Sequence, residues 1–430
     1  MLLDSLLRAA RRDRYRVSAL HIDHQLSPNA RRWSAFCRRL CAARGVPLKV
    51  VRVAVRRNNS IEAGARAARY AVFAGQGCDC VALAHHRDDQ VETVLLQLLR
   101  GAGVKGLSAM PAFRGEERGE RREAQLRIGA ARRSSPPASR LPPRILRPLL
   151  DATRKEILEY AKTRALEWVE DESNQDTRYR RNALRHEVLP VIERHFPAYR
   201  DTLARTAQHL AEAADVLSEL ASRDGEGWVE GGTLAVEGLR ALPPARARNL
   251  LRHFLAGHGV SLPGTARLQE MLRQVLGAKQ DARVRVDLGE FALHRYRDRL
   301  HVVPRLRAIR RETSRRWRGE RTLALPELGG ILSMTPSRGE GVSLERLREQ
   351  SVTIRVRRGG ERLQPDCSRP RRSLKKLLQE GRLPPWLRGR SPLIFCGTEL
   401  VWCAGVGVDC RYQAAGGERA VLPVWRIGGI

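Results

Sequence analysis

Residues 81–103 read VALAHHRDDQVETVLLQLLRGAG. An apolar run ends in two histidines, His85 and His86, and is followed at once by Asp88, Asp89 and Glu92. Carboxylates this close repel one another unless a cation, a metal or an ammonium group lies among them. The first part reads as a buried strand, the second as a helix from about Asp88 to Arg100 that stops at Gly101, a C′ glycine. Val91, Val94, Leu95 and Leu98 fall at i, i+3, i+4 and i+7 and form one apolar stripe facing the sheet. Asp89, Glu92 and Thr93 share the opposite side near the helix N-terminus, whose partial positive charge favours an acid as cap. Capping accounts for Asp88. It leaves unexplained why His85, His86, Asp89 and Glu92 converge at the carboxyl end of a strand, where a small cationic ligand or a metal would fit.

The same alternation extends outward. A helix at 2–10 precedes the strand YRVSALHID (15–23), then a helix at 29–44, the strand PLKVVRVAV and the helix IEAGARAARYAVFAGQG lead to DCVALAH. Strands separated by helices of this length imply an α/β fold with a doubly wound parallel sheet. Ligands of such sheets bind off the carboxyl ends of the strands, where HID and AHHRDD fall. Residues 113–144 break the rhythm with an Arg-, Pro- and Ser-rich insertion, read as mobile and basic, either a solvated loop or an RNA contact. Strand-like ILRPLL (145–150) and the helix TRKEILEYAKTRA resume the order. A long amphipathic helix begins near Asp201, with Leu203, Ala207, Leu210, Ala214 and Leu217 on one stripe. Helices at 244–257 and 264–276, then the alternating RVRVDL, FALHRY and LHVVP, complete a mainly helical middle domain. After an Arg-rich link (305–321), short strands surround SLKKLLQEGRLPPWLRGRSPLIF. Three domains result: 1–220, 221–310 and a small α/β C-terminal domain, 311–430.

Four hundred and thirty residues exceed what a single core sustains. The formal net charge of +32 points to a polyanionic partner, nucleic acid above all, although only seven of the 79 basic residues are lysine. The eight cysteines contain no CxxC pair, which disfavours a zinc ribbon or an iron–sulfur site and suits reduced thiols in the cytoplasm. MLLDSLLRAARRDR has Asp4 inside its apolar run and is not read as a signal peptide. No apolar stretch is long enough to span a bilayer.

HHRDDQVET…LLRGAG resembles the HxxDDQxET segment of tRNA(Ile)-lysidine synthetases. Five further stretches keep that family's order. HIDHQLSPNA (21–30) is similar to a strand-end HVxHGLR-type segment, with Gln25 where glycine is usual. IEAGARAARY (61–70) resembles IEAxARxxRY, RPLLDATRKEI (147–157) the RPLL segment, and DESNQDTRYRRNALRHEVLP (171–190) the D-x-SN-x-D…RNxxR segment. SLKKLLQEGRLPPWLRGRSPLIF is similar to the C-terminal LKK…PPWxR element. The resemblance implies a two-step ligase. ATP, with Mg2+, adenylates C2 of the wobble cytidine in an isoleucine tRNA with a CAU anticodon; free L-lysine then displaces AMP to form lysidine.

Residue by residue, the resemblance makes His86, Asp89 and Glu92 catalytic, with Asp89 and Glu92 holding the ammonium groups of lysine. His21, Arg66 and Arg69 become nucleotide or phosphate contacts, although Arg66 and Arg69 also read as exposed helix arginines. Arg181, Asn182, Arg185, Lys375, Lys376 and Arg388 become tRNA contacts. For Arg181 and Arg185 the alternative is a structural salt bridge to Asp171 or Asp176. Metal ligands are not identified, and a homodimer is compatible with the sequence. The family is similar to PP-loop ATP pyrophosphatases, whose first strand ends in an SGGxDS loop. No SGGxDS occurs in this sequence; LLDSLL (2–7) resembles the helix after that loop, and no glycine pair precedes Asp4-Ser5. The sheet is therefore expected without the strand that leads into the loop, leaving an unpaired position or an open cleft beside HID. Two rivals remain open, a non-catalytic tRNA-binding remnant and a PP-loop tRNA-cytidine thiolase, the latter disfavoured by the absent cysteine pairs.

Overall fold

The computed structural model describes residues 1–13, 15–54, 61–114, 143–279, 284–305, 309, 313–381 and 383–427. They form two compact units, Met1–Leu217 and Ser218–Ile430. None of the described helices is long and apolar enough to cross a membrane.

The first unit opens with α1 (Leu2–Asp13), β1 (Ala19–Asp23), α2 (Ala30–Ala42), β2 (Leu48–Arg52), α3 (Ile61–Ala74), β3 (Cys80–Ala82) and α4 (Arg87–Leu98). Short α5 (Val104–Leu107), β4 (Phe113–Arg114), β5 (Arg144–Leu146) and α6 (Arg154–Thr163) come next. β1 runs parallel to β2, with His21 opposite Val50. β3 runs parallel to β5, and β4 adds an antiparallel edge to β5. Among the described strands β1 pairs with β2 alone and β3 with β5 alone. The ends of the expected insertion are ordered: Phe113 and Arg114 pair with Leu146 and Ile145 because a hairpin base buries Ile145 there. The body of that insertion, 115–142, lies outside the described residues.

Two local expectations change. The stripe of α4 meets other helices: Val91 packs with Leu184, Leu189 and Tyr199, and Leu95 joins them, whereas Leu98 is exposed. Glu92, expected on the solvent side, is completely buried. The second change concerns RNALRHEVLPVI, whose periodicity predicts a stripe through Leu184, Val188, Val191 and Ile192. The chain passes from α7 (Arg180–Ala183) through a π-turn, Leu184–Val188, into α8 (Leu189–His195). One extra residue in that turn rotates α8, so Leu189 goes inside while Val188 and Val191 face out. The unit ends on α9 (Tyr199–Gly225).

The second unit holds more sheet than the mainly helical reading of its first part. Helices Val236–Arg240, Pro244–Gly257 and Thr265–Gly277 pack on a five-stranded sheet whose last three strands are Arg285–Leu288, Phe291–Tyr296 and Arg299–Pro304. Leu250, Leu251, Leu268, Met271, Leu293 and Leu300 fill that core. Residues beyond 313 build a five-stranded and a four-stranded antiparallel sheet around Leu323, Leu332, Ile394 and Val401.

Candidate active site

β3 ends at Ala82, and the chain turns through His85 and His86 into α4. His86 is the N-cap: its N–H donates to Asp89 Oδ2 at 3.0 Å, a capping contact that fixes Asp89 in the first turn. Asp88 is turned the other way, accepting from the Arg154 N–H and from Arg200 Nε, both at 2.8 Å. Burial alone would raise the Asp88 pKa, but those two donors outweigh it and hold the carboxyl below its ordinary value.

The cation among the acids comes from the chain itself. Arg181 Nε donates to Glu92 Oε2 at 2.6 Å and its Nη2 to Asp89 Oδ1 at 2.7 Å. Arg185 Nε donates to Glu92 Oε1 at 2.6 Å and its Nη2 to Oε2 at 3.0 Å. Helical spacing of four residues puts the two guanidinium groups on one face, and both reach back to α4. The salt bridges expected to Asp171 or Asp176 are not those formed. Asp171 caps the Ser173 N–H at 2.9 Å, and Asp176 is engaged by Arg178 at 2.8 Å. Asn182 spends its amide on the carbonyls of Ser173 and Asp176, at 2.8 and 3.0 Å, and so pins the DESNQD loop to α7.

These contacts separate Asp89 from Glu92. Glu92, with both oxygens held by guanidinium groups and no exposure, has no capacity left for a lysine ammonium. Asp89 keeps an edge on an open cleft of about 400 Å3, shared with His86, Arg154, Ile157, Leu158, Asn174, Arg181, Asn182 and Arg185. A carboxylate facing guanidinium groups across a cleft with apolar walls suits a zwitterion carrying an aliphatic chain.

A second group of side chains adjoins the first through Arg181. Arg69, on α3, has no acidic partner among the described residues, and burial first, then Arg66 and Arg181, lowers its pKa. Arg66 leans over the Tyr70 ring at 4.9 Å. His24 is held towards the neutral form by burial and by Arg69, and its Nδ1 has no hydrogen-bond partner. Burial drives His85 down to about 4 despite nearby Asp89, with Arg147, Arg181 and Arg66 adding to the effect; its Nδ1 is also unpartnered. Uncompensated guanidinium groups with neutral imidazoles describe a site for an anion.

His21 contacts Cys37 Sγ through Nδ1 at 3.7 Å, and burial lowers its pKa. After β1, Gln25 adopts a left-handed φ of 55°, at the position where glycine is usual in the resemblance, and Asp23 Oδ1 supports the turn by accepting the Gln25 N–H at 2.8 Å. Ser27 then reaches Glu172 at 2.5 Å, tying this loop to DESNQD. Asp4 accepts from Tyr160 Oη at 2.8 Å and serves packing. In the second unit, Lys375 and Lys376 are exposed on the helix Leu374–Glu380, whose Leu374 and Leu378 are buried. Arg388, expected on tRNA, donates to the Leu383 carbonyl at 2.8 Å and reaches Tyr296 Oη at 3.4 Å, so it fastens the PPWLR turn. The roles of Arg200 and Arg154 as partners of Asp88 escape the sequence reading; Arg154 stands in the RPLL segment, but nothing in the spacing of Arg200 marks it.

Residues 1–192 match the PP-loop domain family, residues 234–301 the TilS substrate binding domain, and residues 352–425 the TilS substrate C-terminal domain. A tRNA(Ile)-lysidine synthase of Nitrosomonas europaea is 46% identical over 411 residues, covering 95% of this chain and 85% of that protein. The tRNA(Ile)-lysidine synthase of Azoarcus sp. is 40% identical, covering 98% and 88%, and that of Coxiella burnetii 37%, covering 94% and 85%.

Proposed function

The chain belongs to the tRNA(Ile)-lysidine synthase family, and we propose from that membership and the site geometry how its residues divide the reaction. It is a ligase that forms a C–N bond between lysine and tRNA(Ile). ATP transfers AMP to C2 of the wobble cytidine with release of pyrophosphate. The side-chain amine of lysine then attacks C2, and AMP leaves. The relatives' shared name favours lysine transfer over cytidine thiolation, and nothing observed favours a non-catalytic remnant.

The observation that carries the reading is Asp89 at the lip of the cleft, its other side held by Arg181. We assign Asp89 to the lysine ammonium, with Arg154 and Arg185 offering guanidinium edges to the α-carboxylate. Charge pairing of this kind orients the amine and rejects neutral amino acids. Glu92 is a positioning residue: it holds both arginines in place and does not touch lysine. His86, beside Asp89 on the cleft, is placed to take the proton that the ammonium must lose before attack. Arg66 and Arg69 receive phosphate, from ATP or from the anticodon loop. Among the described residues no group of three or more His, Cys, Asp or Glu is placed to hold a metal ion, so magnesium is assigned to the nucleotide's own phosphates. Lys375 and Lys376 are assigned to tRNA, and the enzyme to the cytoplasm, where its tRNA is.

The test is incorporation of labelled lysine into a tRNA(Ile) transcript with a CAU anticodon, with AMP and pyrophosphate measured together. Lysine-dependent AMP release and ATP-dependent labelling are expected. Labelling that needs no ATP, or equal labelling of a transcript with another anticodon, would refute the assignment.

A further inference from the structure

The eight cysteines are unequal. Cys41, Cys396 and Cys403 are buried, and burial pushes the Cys403 thiol up to about 12. Cys396 is held against the carbonyls of Arg346, Leu347 and Gln350. Cys367 is exposed, and Cys410 is half-exposed. They stand 43 positions apart in sequence, yet the thiol of Cys410 hydrogen-bonds that of Cys367.

Backbone contacts enforce the meeting. Cys367 lies in a turn closed by the Arg369 N–H on the Asp366 carbonyl at 3.1 Å. Cys410 begins a short 3-10 turn, Cys410–Tyr412, behind completely buried Asp409. The Cys410 N–H donates to the Gln364 carbonyl at 2.7 Å, and the Gln364 N–H returns to Asp409 Oδ2 at 3.2 Å. Gln413 Nε2 donates to the Pro365 carbonyl at 2.7 Å, and Arg371 Nη2 to Asp409 Oδ2 at 2.6 Å. Two accessible sulfurs are thus brought together by a scaffold that both thiols can share without rebuilding it.

We propose that Cys367 and Cys410 form a reversible disulfide, closed by exchange with a small disulfide of the glutathione type. The Cys367 thiolate attacks one sulfur of oxidised glutathione, forming a mixed disulfide and expelling one glutathione thiolate. The Cys410 thiolate then attacks the Cys367 sulfur and expels the second. Two protein thiols and one glutathione disulfide become one protein disulfide and two glutathione molecules, and a dithiol reductant reverses the exchange.

The bond clips the segment DCSRPRRSLKK, residues 366–376, to the Asp409 turn. That segment carries Arg369, Arg371, Arg372, Lys375 and Lys376. Arg369 and Arg371 are already paired with Asp366 and Asp409, so contact with a phosphate requires the segment to open. Resting on the assignment of this segment to tRNA, the clip withholds those arginines and weakens RNA binding.

The full chain equilibrated with oxidised glutathione, alkylated and digested should yield the linked 367–410 peptides as the dominant disulfide, absent in Cys410→Ser. Recovery of both cysteines alkylated, or still joined to glutathione, or a dominant link between Cys78 and Cys80, would overturn the disulfide itself. Filter binding of tRNA to the oxidised chain should be several-fold weaker, with the log–log salt slope smaller by about 0.9 for each arginine withheld. Dithiothreitol should restore both, and Cys410→Ser should respond to neither reagent. A linked chain that binds tRNA unchanged would overturn the control of RNA binding while leaving the disulfide and the synthase reading standing.

Discussion

Asp89 and Glu92 are chemically alike and three residues apart, yet neutralising each should fail differently. Glu92 is completely buried and accepts three short guanidinium bonds, at 2.6, 2.6 and 3.0 Å. Glu92→Gln keeps the shape but leaves Arg181 and Arg185 facing each other with one charge fewer between them. Removing one partner of a buried pair costs about 3–5 kcal/mol. The arginine side chains keep 31% and 20% exposure, which lets water share the load and favours the lower end, about 3 kcal/mol. In a unit of 217 residues each kcal/mol moves the melting temperature by about 2–4 °C, so a fall of about 6–12 °C is expected. Asp89→Asn gives up the 2.7 Å pair with Arg181 at the cleft edge; its melting point should move less, while the KM for lysine rises about tenfold or more. Calorimetry and lysine kinetics on both variants decide the matter. A Glu92→Gln enzyme that melts like the parent yet needs much more lysine would make Glu92 a lysine ligand and refute the division of roles.

Arg69→Met should leave the melting temperature unchanged or raise it, because it removes a half-buried charge with no acidic partner, while affinity for ATP or tRNA falls about tenfold; a large loss of stability would show that Arg69 has a structural role. His85 is held at about 4 by burial, against about 6.5 in an unfolded chain, so the unfolded state takes up the proton first. Its contribution to stability is complete above pH about 6.5 and is lost as the pH falls towards 4; thermal melts across that window should be steeper for the parent than for His85→Gln, and identical profiles would contradict the burial argument. With a net charge of +32, tRNA affinity should fall linearly on a log–log salt plot, and a flat response would remove the electrostatic basis for binding.

Much of the first unit is legible because short-range rules act there without competition. Alternating strands and helices, the acid-rich start of α4, and glycine-like geometry at Gln25 all depend on a few neighbouring residues. The features that escape depend on one inserted residue or on distant partners. The π-turn at Leu184–Val188 leaves no mark in the periodicity, which therefore puts Val188 and Val191 inside and leaves Leu189 out. Arg388 and Asn182 stand in motif positions, but their donors are consumed by carbonyls brought up from Leu383, Ser173 and Asp176, which composition cannot reveal.

The acids of α4 show how the two kinds of information combine. Repulsion among Asp88, Asp89 and Glu92 demands cations, and that demand is readable from spacing alone. Lysine is one candidate to meet it. The fold meets most of it with Arg200 on Asp88 and with Arg181 and Arg185 on Glu92. Asp89 alone is shared between an internal guanidinium and the cleft. A site that filled every acid with arginine would have nothing to offer an ammonium, and one that filled none would not hold its shape in the absence of substrate. With Glu92 neutralised inside and Asp89 half-neutralised at the lip, the carboxylates stay in register while one acceptor remains for the incoming amine. The DDQxET and RNxxR segments therefore act as one unit: changing Arg181 should alter lysine use through Asp89 as much as it alters any contact with RNA.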